Sequence, residues 1–430
     1  MNNNNTYNRY FVVGASELSF DFDEWLDAEQ RYFRNQHDNI SACRLHYKPG
    51  RIMPIARKVA DGSFAPGKSY CFYFPRPVLR EIFAAYPPDR LVHHFVAPFI
   101  SQVAECVYAA YGDVSHGNRL GHSARTAVEE VRKAIGKWRY VIRMDFQGFF
   151  MSIPRELAYQ FLEACARLYY SGADIDEKLA ICRTLILFDP TSNCEYVGDI
   201  SYMDMIDPRK SMRFAKPGCG LPMGNFYSQL IANLFLAIID AIILSFGVDM
   251  SRFVDDITTF AQTREQARAI KAAVAAEARR LGLTLHPYKY SVQPAHRGVS
   301  MCGYTVKGNR VYLNNRTVSN CKEAINTAPA TLDGARAICK TLNSYYGLLR
   351  HCTERKLERK IADAVLEKFG AWLYFLVKDG HYVCRLKQQY TDIFITTQLI
   401  NTYKDETRKN YKRDNQPRRS RGWQGGRRAA

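Results

Sequence analysis

Two segments about a hundred residues apart each set aspartate into an apolar, strand-like frame: "RYVIRMDFQGFF" (139–150) and "SRFVDDITTF" (251–260). Val254, Ile257, Thr258, Thr259 and the flanking Phe residues favour a pleated, half-buried surface, where Asp is depleted. Burying a carboxylate costs several kcal/mol unless something compensates it. A chain that puts Asp145, Asp255 and Asp256 in such frames must therefore fold so that these charges meet a partner. Mg²⁺ is one such partner, since it takes carboxylate oxygens, keeps several waters and typically meets one or two carboxylates plus substrate phosphates. If the strands of 139–146 and 251–260 are neighbours in one sheet, Asp145 and Asp255 face each other. Two ions on shared acids can then stabilise both the attacking and the leaving oxygen of a phosphoryl displacement. Successive residues of a regular strand point to opposite faces, so Asp255 and Asp256 reach one site only at a hairpin turn. On that reading Asp255 is the direct ligand and Asp256 a supporting one. An exposed hairpin tip accounts for a lone D-D pair as simply, so the company the pair keeps decides.

The charge balance points the same way. Over 430 residues the net charge is +18, with pI ≈ 9.3, an excess that usually means a polyanionic partner such as nucleic acid. A well-solvated basic surface is the plain alternative. Apolar residues at 47% and charged residues at 24% are ordinary globular composition, and the length suffices for two to four domains or subdomains. None of the twelve cysteines falls in a C-x-x-C pair, which leaves a zinc knuckle or redox dithiol unsupported. Several sit in apolar runs, as reduced cysteines packed like small hydrophobes do. "MNNNNTYNRY" has neither the basic nor the apolar region of a signal peptide. "LIANLFLAIIDAIILSF" (230–246), interrupted by Asn233 and Asp240, reads as a core helix too short and polar to span a bilayer. The expectation is a cytoplasmic protein without membrane association. His93, His94, His116 and His122 lack ligand spacing apart from the adjacent His93–His94, whose side chains diverge on a helix; they read as structural or phosphate-adjacent.

Along the chain, "YCFYFPRPVLREIFAA" (70–85) looks like two strands broken by Pro75 and Pro77, and 89–111 has helical apolar spacing. Residues 116–138 open as a Gly-rich basic loop and continue as an amphipathic helix. Residues 190–220 are irregular, 225–246 and 262–281 are helical, and 251–260 is a hairpin. From about 316 the pattern is helical and basic. The 404–430 tail carries ten Lys/Arg against three acids and is expected to stay disordered until it meets nucleic acid or a partner. "GCGLPMGNFYSQLIANLFL" (218–236) is a glycine-punctuated loop entering an apolar helix. Gly220 and Gly224 permit close backbone approach to a ligand, and Asn225, Ser228, Gln229 and Asn233 offer polar groups for a base and sugar platform. A Schellman turn before a core helix is the other reading.

"RMDFQGFFMSI", "GLPMGNFYSQLIANLFL", "RFVDDITTF" and "LGLTLHPYKYSVQPAHRGVSMCGYTV" follow the order of the palm motifs of reverse transcriptases. "PRPVLREIFAAYPPDRLVHHFVAPFI" and "GNRLGHSARTAVEEV" resemble the finger segments of bacterial retroelement enzymes, so the resemblance runs from about residue 70 to 350. In "GNFYSQ", Gln229 follows the Ser where group II intron and retron enzymes usually carry Pro. That wording, with "FFMSI" and "LNSYYGLLRH" (342–351), resembles the reverse transcriptases of diversity-generating retroelements. Those enzymes copy a template RNA, misincorporate opposite adenine and work with a small basic accessory protein. Phe253 stands where Tyr is usual before "xDD", and "MCGY" replaces the common "FLGY". A defence-associated bacterial reverse transcriptase acting with a noncoding RNA against phage is the alternative. A non-catalytic RNA-binding protein with a polymerase fold is the alternative of another class.

The resemblance implies an α+β right-hand polymerase: an N-terminal extension (1–69), fingers (70–138), a palm with an antiparallel sheet and finger insertions (139–315), a helical thumb (316–403) and the basic tail (404–430). It implies RNA-directed DNA polymerase activity, with template RNA, cDNA and dNTPs as partners. Asp145, Asp255 and Asp256 would bind two Mg²⁺, with Mn²⁺ a possible substitute. Arg80, Phe146, Phe149, Phe150, Met223, Gly224, Gln229 and Lys289 would surround the dNTP. Phe150 matches the gate against a ribose 2′-OH, and Lys289 the lysine near the leaving pyrophosphate. Asn225, Ser228, Met301, Cys302, Gly303 and Tyr304 would contact primer and template, the last four as the primer grip. Tyr345, Tyr346, Arg350 and Lys356 of the thumb would supply charge and stacking surface to an RNA–DNA heteroduplex.

Overall fold

The computed structural model describes residues 22–34, 52–75 and 78–390. The expected basic tail, 404–430, lies outside the described residues. The chain divides into two compact units, 1–311 and 312–430, so the segments expected as fingers and palm share one unit.

The first unit is organised by a four-stranded antiparallel sheet. Its strands are β3 (Tyr140–Met144), β5 (Met250–Phe253), β6 (Asp256–Ala261) and β7 (Ser291–Pro294), in the order β5-β6-β3-β7. The β-branched run of β3 and the Ile257–Phe260 run of β6 are buried, as suits the two central strands. A second sheet pairs β1 (Ser69–Phe74) with β2 (Arg80–Ala84) as an antiparallel hairpin, and β4 (Cys194–Tyr196) joins β1 in parallel. The short hairpin of β8 (Val299–Met301) and β9 (Tyr304–Lys307) turns through Cys302 and Gly303, both at positive φ (51° and 84°), as a type I′ turn requires. The strand β10 (Arg310–Leu313) then carries the chain into the second unit.

Helices cover the sheet. The 25-residue helix Pro87–Tyr111 starts on two prolines, which suit the first helical turn because their missing N–H would be unpaired there. One helix was expected over 225–246, but it is broken at Leu236 into Phe226–Phe235 and Ala237–Leu244. By length and composition Phe226–Leu244 could cross a bilayer, contrary to the sequence reading. However, 72% of its apolar window is buried inside the fold, so it is a core element. The helix Phe22–Arg34, within the expected N-terminal extension, is part of the same core: Trp25 is fully buried and stacks on Phe95 with ring centroids 4.1 Å apart.

The second unit holds the helices Asn315–Thr327, Leu332–Leu349 and Arg355–Phe369. It also holds a β-hairpin that the helical reading missed, β11 (Leu373–Lys378) with β12 (His381–Leu386). Its turn is Asp379-Gly380, both residues at positive φ, the dipeptide most suited to a two-residue hairpin loop. Tyr346 is buried edge-to-face against Phe375 at 5.6 Å. It is therefore a core residue and not a stacking surface, whereas Arg350 and Lys356 are exposed.

Trp25→Ala removes a fully buried indole and is expected to cost about 3–5 kcal/mol in urea denaturation. A loss below ~1 kcal/mol would show that the N-terminal helix is not part of the folded core.

Candidate active site

The register of β5 and β6 ends with Phe253 opposite Asp256, leaving Val254 and Asp255 as a two-residue turn. On the other side of β6, Arg143 lies opposite Thr258 and Met144 opposite Ile257. One residue beyond that ladder, Asp145 comes beside Asp256. Side-chain alternation then puts Arg143, Asp145, Asp256 and Thr258 on one face, and the turn lets Asp255 join them.

The charges are incompletely matched. Arg143 Nη2 donates to both Asp256 oxygens, at 3.1 and 3.2 Å. The Lys289 ammonium pairs with Oδ2 of Asp145, while Oδ1 of Asp145 is buried without a hydrogen-bond partner among the described residues. Burial first, and the Asp145 charge second, push the Asp255 carboxyl up to about 6. Asp256 is also raised, by burial working against the pull of Arg143. Among the described residues no three His, Cys, Asp or Glu side chains converge as a ready-made ion cage, as follows when two acids repel and the third is tied to an arginine. The donor set, oxygen-only with a buried carboxylate oxygen unpaired, nonetheless fits a hard divalent cation.

The other expected residues divide into those near open space and those in the core. Phe150 is half-buried, but Phe146 and Phe149 are 2% and 3% exposed; these two rings pack in the core and are not available to a nucleotide. Ser228 is fully buried and Asn225 6% exposed, its Oδ1 accepting from the Ala85 amide at 3.1 Å. Neither side chain is exposed to solvent in the described structure. Gln229 is half-buried on the same helix. The close approaches at the glycines are to protein rather than ligand. Gly224 has φ +114°, and a Cβ there would meet Ile82 Cγ2 at 2.7 Å and Phe83 O at 2.9 Å. Beside it the Phe83 amide donates to Met223 O at 2.8 Å. A Cβ on Gly220 would meet Met212 Cε at 3.1 Å. The motif is thus docked onto β2, where Arg80 is exposed and opposite Phe74. In the expected primer grip, Met301 and Tyr304 are buried and only the turn residues Cys302 and Gly303 are half-exposed. Cys302 lies near the acids, since the Asp256 charge adds to burial in pushing its thiol up to about 12.

The histidines hold structural places. His93 and His94 are buried against Tyr227 and Phe226, and burial pulls them down to about 3 and about 4, hence neutral. His116 and His122 approach to 3.3 Å between ring nitrogens, a juxtaposition their sequence spacing did not suggest.

Three further residues escaped the sequence reading. Arg143 holds Asp256; Arg252 is fully buried against Asp240; Glu81, also fully buried, accepts from the Met212 amide at 2.6 Å and Ser211 Oγ at 2.9 Å. Each is a charge inside an apolar strand, which by itself demands a buried partner.

An α+β domain whose antiparallel sheet presents a two-acid hairpin turn beside a third acid is the palm of a right-hand polymerase. The family model "Reverse transcriptase (RNA-dependent DNA polymerase)" matches residues 88–306, half of the chain, and the chain belongs to that family. It is 20% identical over 227 residues to the "Putative COX1/OXI3 intron 1 protein" of Saccharomyces cerevisiae, covering 50% of this chain and 21% of that protein. The chain thus spans about a fifth of that relative's length. Among solved structures it is similar to apo telomerase from Candida tropicalis, with TM-score 0.45, 9% identity and coverage of 71% of this chain and 63% of that one. It is also similar to Candida albicans telomerase in complex with a fragment of telomeric RNA, with TM-score 0.40, 11% identity and coverage of 71% and 59%.

Because Asp255 titrates at about 6 in the fold against its ordinary 3.8, the folded state binds the extra proton between those values. Metal-free stability should therefore fall as pH rises through that window. Asp255→Asn is expected to raise thermal stability at pH 7.5 in EDTA by roughly 1–3 kcal/mol. The gain should shrink towards pH 4; a gain independent of pH, or a loss, would contradict the charge crowding.

Proposed function

We propose that this protein is an RNA-directed DNA polymerase that copies a template RNA into cDNA. The observation that carries the reading is that the β3–β6 pairing ends with Asp145 close enough to the Val254–Asp255 turn for its charge to raise the Asp255 carboxyl, with one buried Asp145 oxygen unpaired among the described residues. Asp145 and Asp255 would hold the divalent ions, taken as Mg²⁺ with Mn²⁺ a substitute, and Asp256, steadied by Arg143, would support them. When bound, two such ions supply charge stabilisation to the attacking 3′-oxygen and the leaving phosphate oxygen.

The remaining work falls to the chain's own side chains. Arg80, exposed on β2, offers a planar guanidinium to triphosphate oxygens. Lys289 Nζ, on a side chain 56% exposed and paired with Asp145, would give a proton to the departing pyrophosphate. Phe150, half-buried, would be the ring on which a 2′-OH clashes, and Gln229, half-buried on the Phe226–Phe235 helix, would pack against the nascent pair. The basic helices of the second unit would follow the heteroduplex backbone. The "GNFYSQ" wording favours a diversity-generating retroelement enzyme, error-prone at template adenine and served by a small basic accessory protein, over a defence enzyme.

Purified protein should extend a DNA primer on an RNA template with dNTPs and Mg²⁺, and Asp255→Ala or Asp256→Ala should abolish extension; persistence of full activity in either variant would end the proposal. Phe150→Ala should raise incorporation of ribonucleotides by roughly tenfold or more, as expected when a steric contact that discriminates one hydroxyl is lost. Sequenced cDNA from a defined template should show errors concentrated at adenines. An even error spectrum would remove the retroelement refinement while leaving the polymerase.

A further inference from the structure

Arg252 and Asp240 form an ion pair in the protein interior, 0% and 1% exposed. Such pairs are commonly no more stabilising than apolar residues of the same volume, so stability alone does not account for this one. The guanidinium uses its whole fork. Nε donates to Asp240 Oδ1 at 2.7 Å and Oδ2 at 2.9 Å, and Nη2 donates to Asp240 Oδ2 at 2.6 Å and Asn233 O at 3.1 Å. Nη1 donates to Asn233 Oδ1 at 3.1 Å and, decisively, to the Val254 carbonyl at 3.0 Å.

Val254 stands at φ +58°. Of the non-glycine residues at positive φ among those described, Asn118, Val254, Cys302 and Asp379, it alone is β-branched, the side-chain type that resists this conformation most. Strain of this kind persists only where the surroundings over-determine it. Here they do so from two sides. Arg252 grips the carbonyl, and Gly117 presses against the rest of the residue: a Cβ on Gly117 would meet Val254 Cγ2 at 2.7 Å and Val254 N at 3.0 Å. Asn233 closes the circuit, its Nδ2 donating to Gly117 O at 2.8 Å.

We infer that Arg252 is a positioning residue. With Asp240 and Asn233 it locks Val254 in the left-handed conformation and thereby aims the Asp255 carboxylate at Asp145. Two members of the lock sit on the Phe226–Phe235 and Ala237–Leu244 helices, so the segment opening with "GNFYSQ" and the acid turn move as one body. The inference rests on the polymerase reading for its consequence in turnover, but not for its consequence in the turn itself.

The test replaces the pair by apolar residues of similar volume, Asp240→Leu with Arg252→Met, and also uses Arg252→Lys, which keeps the charge but loses the fork. Hydrogen exchange over residues 250–258 should accelerate by ~10-fold or more in whichever variant retains a cooperative melt. That readout stands even if the wild type extends no primer, an outcome that would sink the polymerase reading alone. In primer extension, kcat should drop by ~10–100-fold with the dNTP KM within about 3-fold of wild type, since positioning of the reacting carboxylate is lost and nucleotide contacts are not. Adding Val254→Gly, for which positive φ carries no side-chain penalty, should recover at least ~5-fold of that kcat loss. Unchanged exchange, unchanged kcat in a folded variant, or no recovery with Val254→Gly would each overturn the inference.

Discussion

Everything at the site follows from the antiparallel pairing of β3 with β6. The ladder from Tyr140–Ala261 to Met144–Ile257 ends where the apolar run of each strand gives way to acid, and carrying it one residue further sets Asp145 beside Asp256. The hairpin turn adds Asp255 to the same region, at the price of a valine in a conformation valines avoid. Hydrophobic burial of Val141, Ile142, Ile257 and Phe260 thus drives together charges that would otherwise repel. The Asp255 carboxyl is raised by its burial first and by the neighbouring Asp145 charge second.

The surroundings resolve the conflict only in part. Arg143 neutralises Asp256 and Lys289 one oxygen of Asp145, but among the described residues no ion pair reaches Asp255, on which Lys289 acts only at a distance, and the second Asp145 oxygen has no hydrogen-bond partner. Around this centre the apolar core is crossed by buried ionic and polar links. Glu81 fastens the β2 strand to the Met212 turn, Asn225 fastens the platform helix to Ala85, and Arg252 fastens that helix to the acid turn. Chemistry that depends on the direction of a carboxylate gains from such links, because hydrogen bonds constrain angle as well as distance.

Much of this was legible in the letters of the chain. Aspartates in strand frames announce a compensated charge, and alternation made a hairpin turn the condition for Asp255 and Asp256 to reach one site; the turn is Val254–Asp255, with Asp256 opening β6. The "NFYSQLIANLF" stretch was visible as a helix with polar residues near its start. What misled was the assumption that polar or glycine residues in a motif face a ligand. Ser228 and Asn225 are buried among protein groups. Gly224 is needed because Ile82 and the Phe83 carbonyl press on it, contacts that bring together residues about 140 apart in the chain. Phe146, Phe149 and Phe150 look alike in sequence, yet only the third is half-exposed: Phe146 bridges Leu285 ahead of the short Phe149–Ser152 helix, and Phe149 turns into the core at its first position. The β11–β12 hairpin went unread although its Asp-Gly turn is a strong signal, because the preceding helical periodicity was carried past Gly370.

The sequence by itself determined the chemistry available: which acids, in which order, on strands or turns, with a basic excess suited to a polyanion. These are local properties, set by side-chain identity and by the two-residue period of a strand. Tertiary structure decided which charges are matched and which are not. Whether Asp256 meets Arg143, whether Asn233 and Asp240 face solvent or hold Arg252, and whether a glycine faces a ligand or a neighbouring strand all depend on atoms far apart in the chain. Only packing brings those atoms within hydrogen-bonding distance, and only there does burial make an unpaired charge costly enough to mark a site.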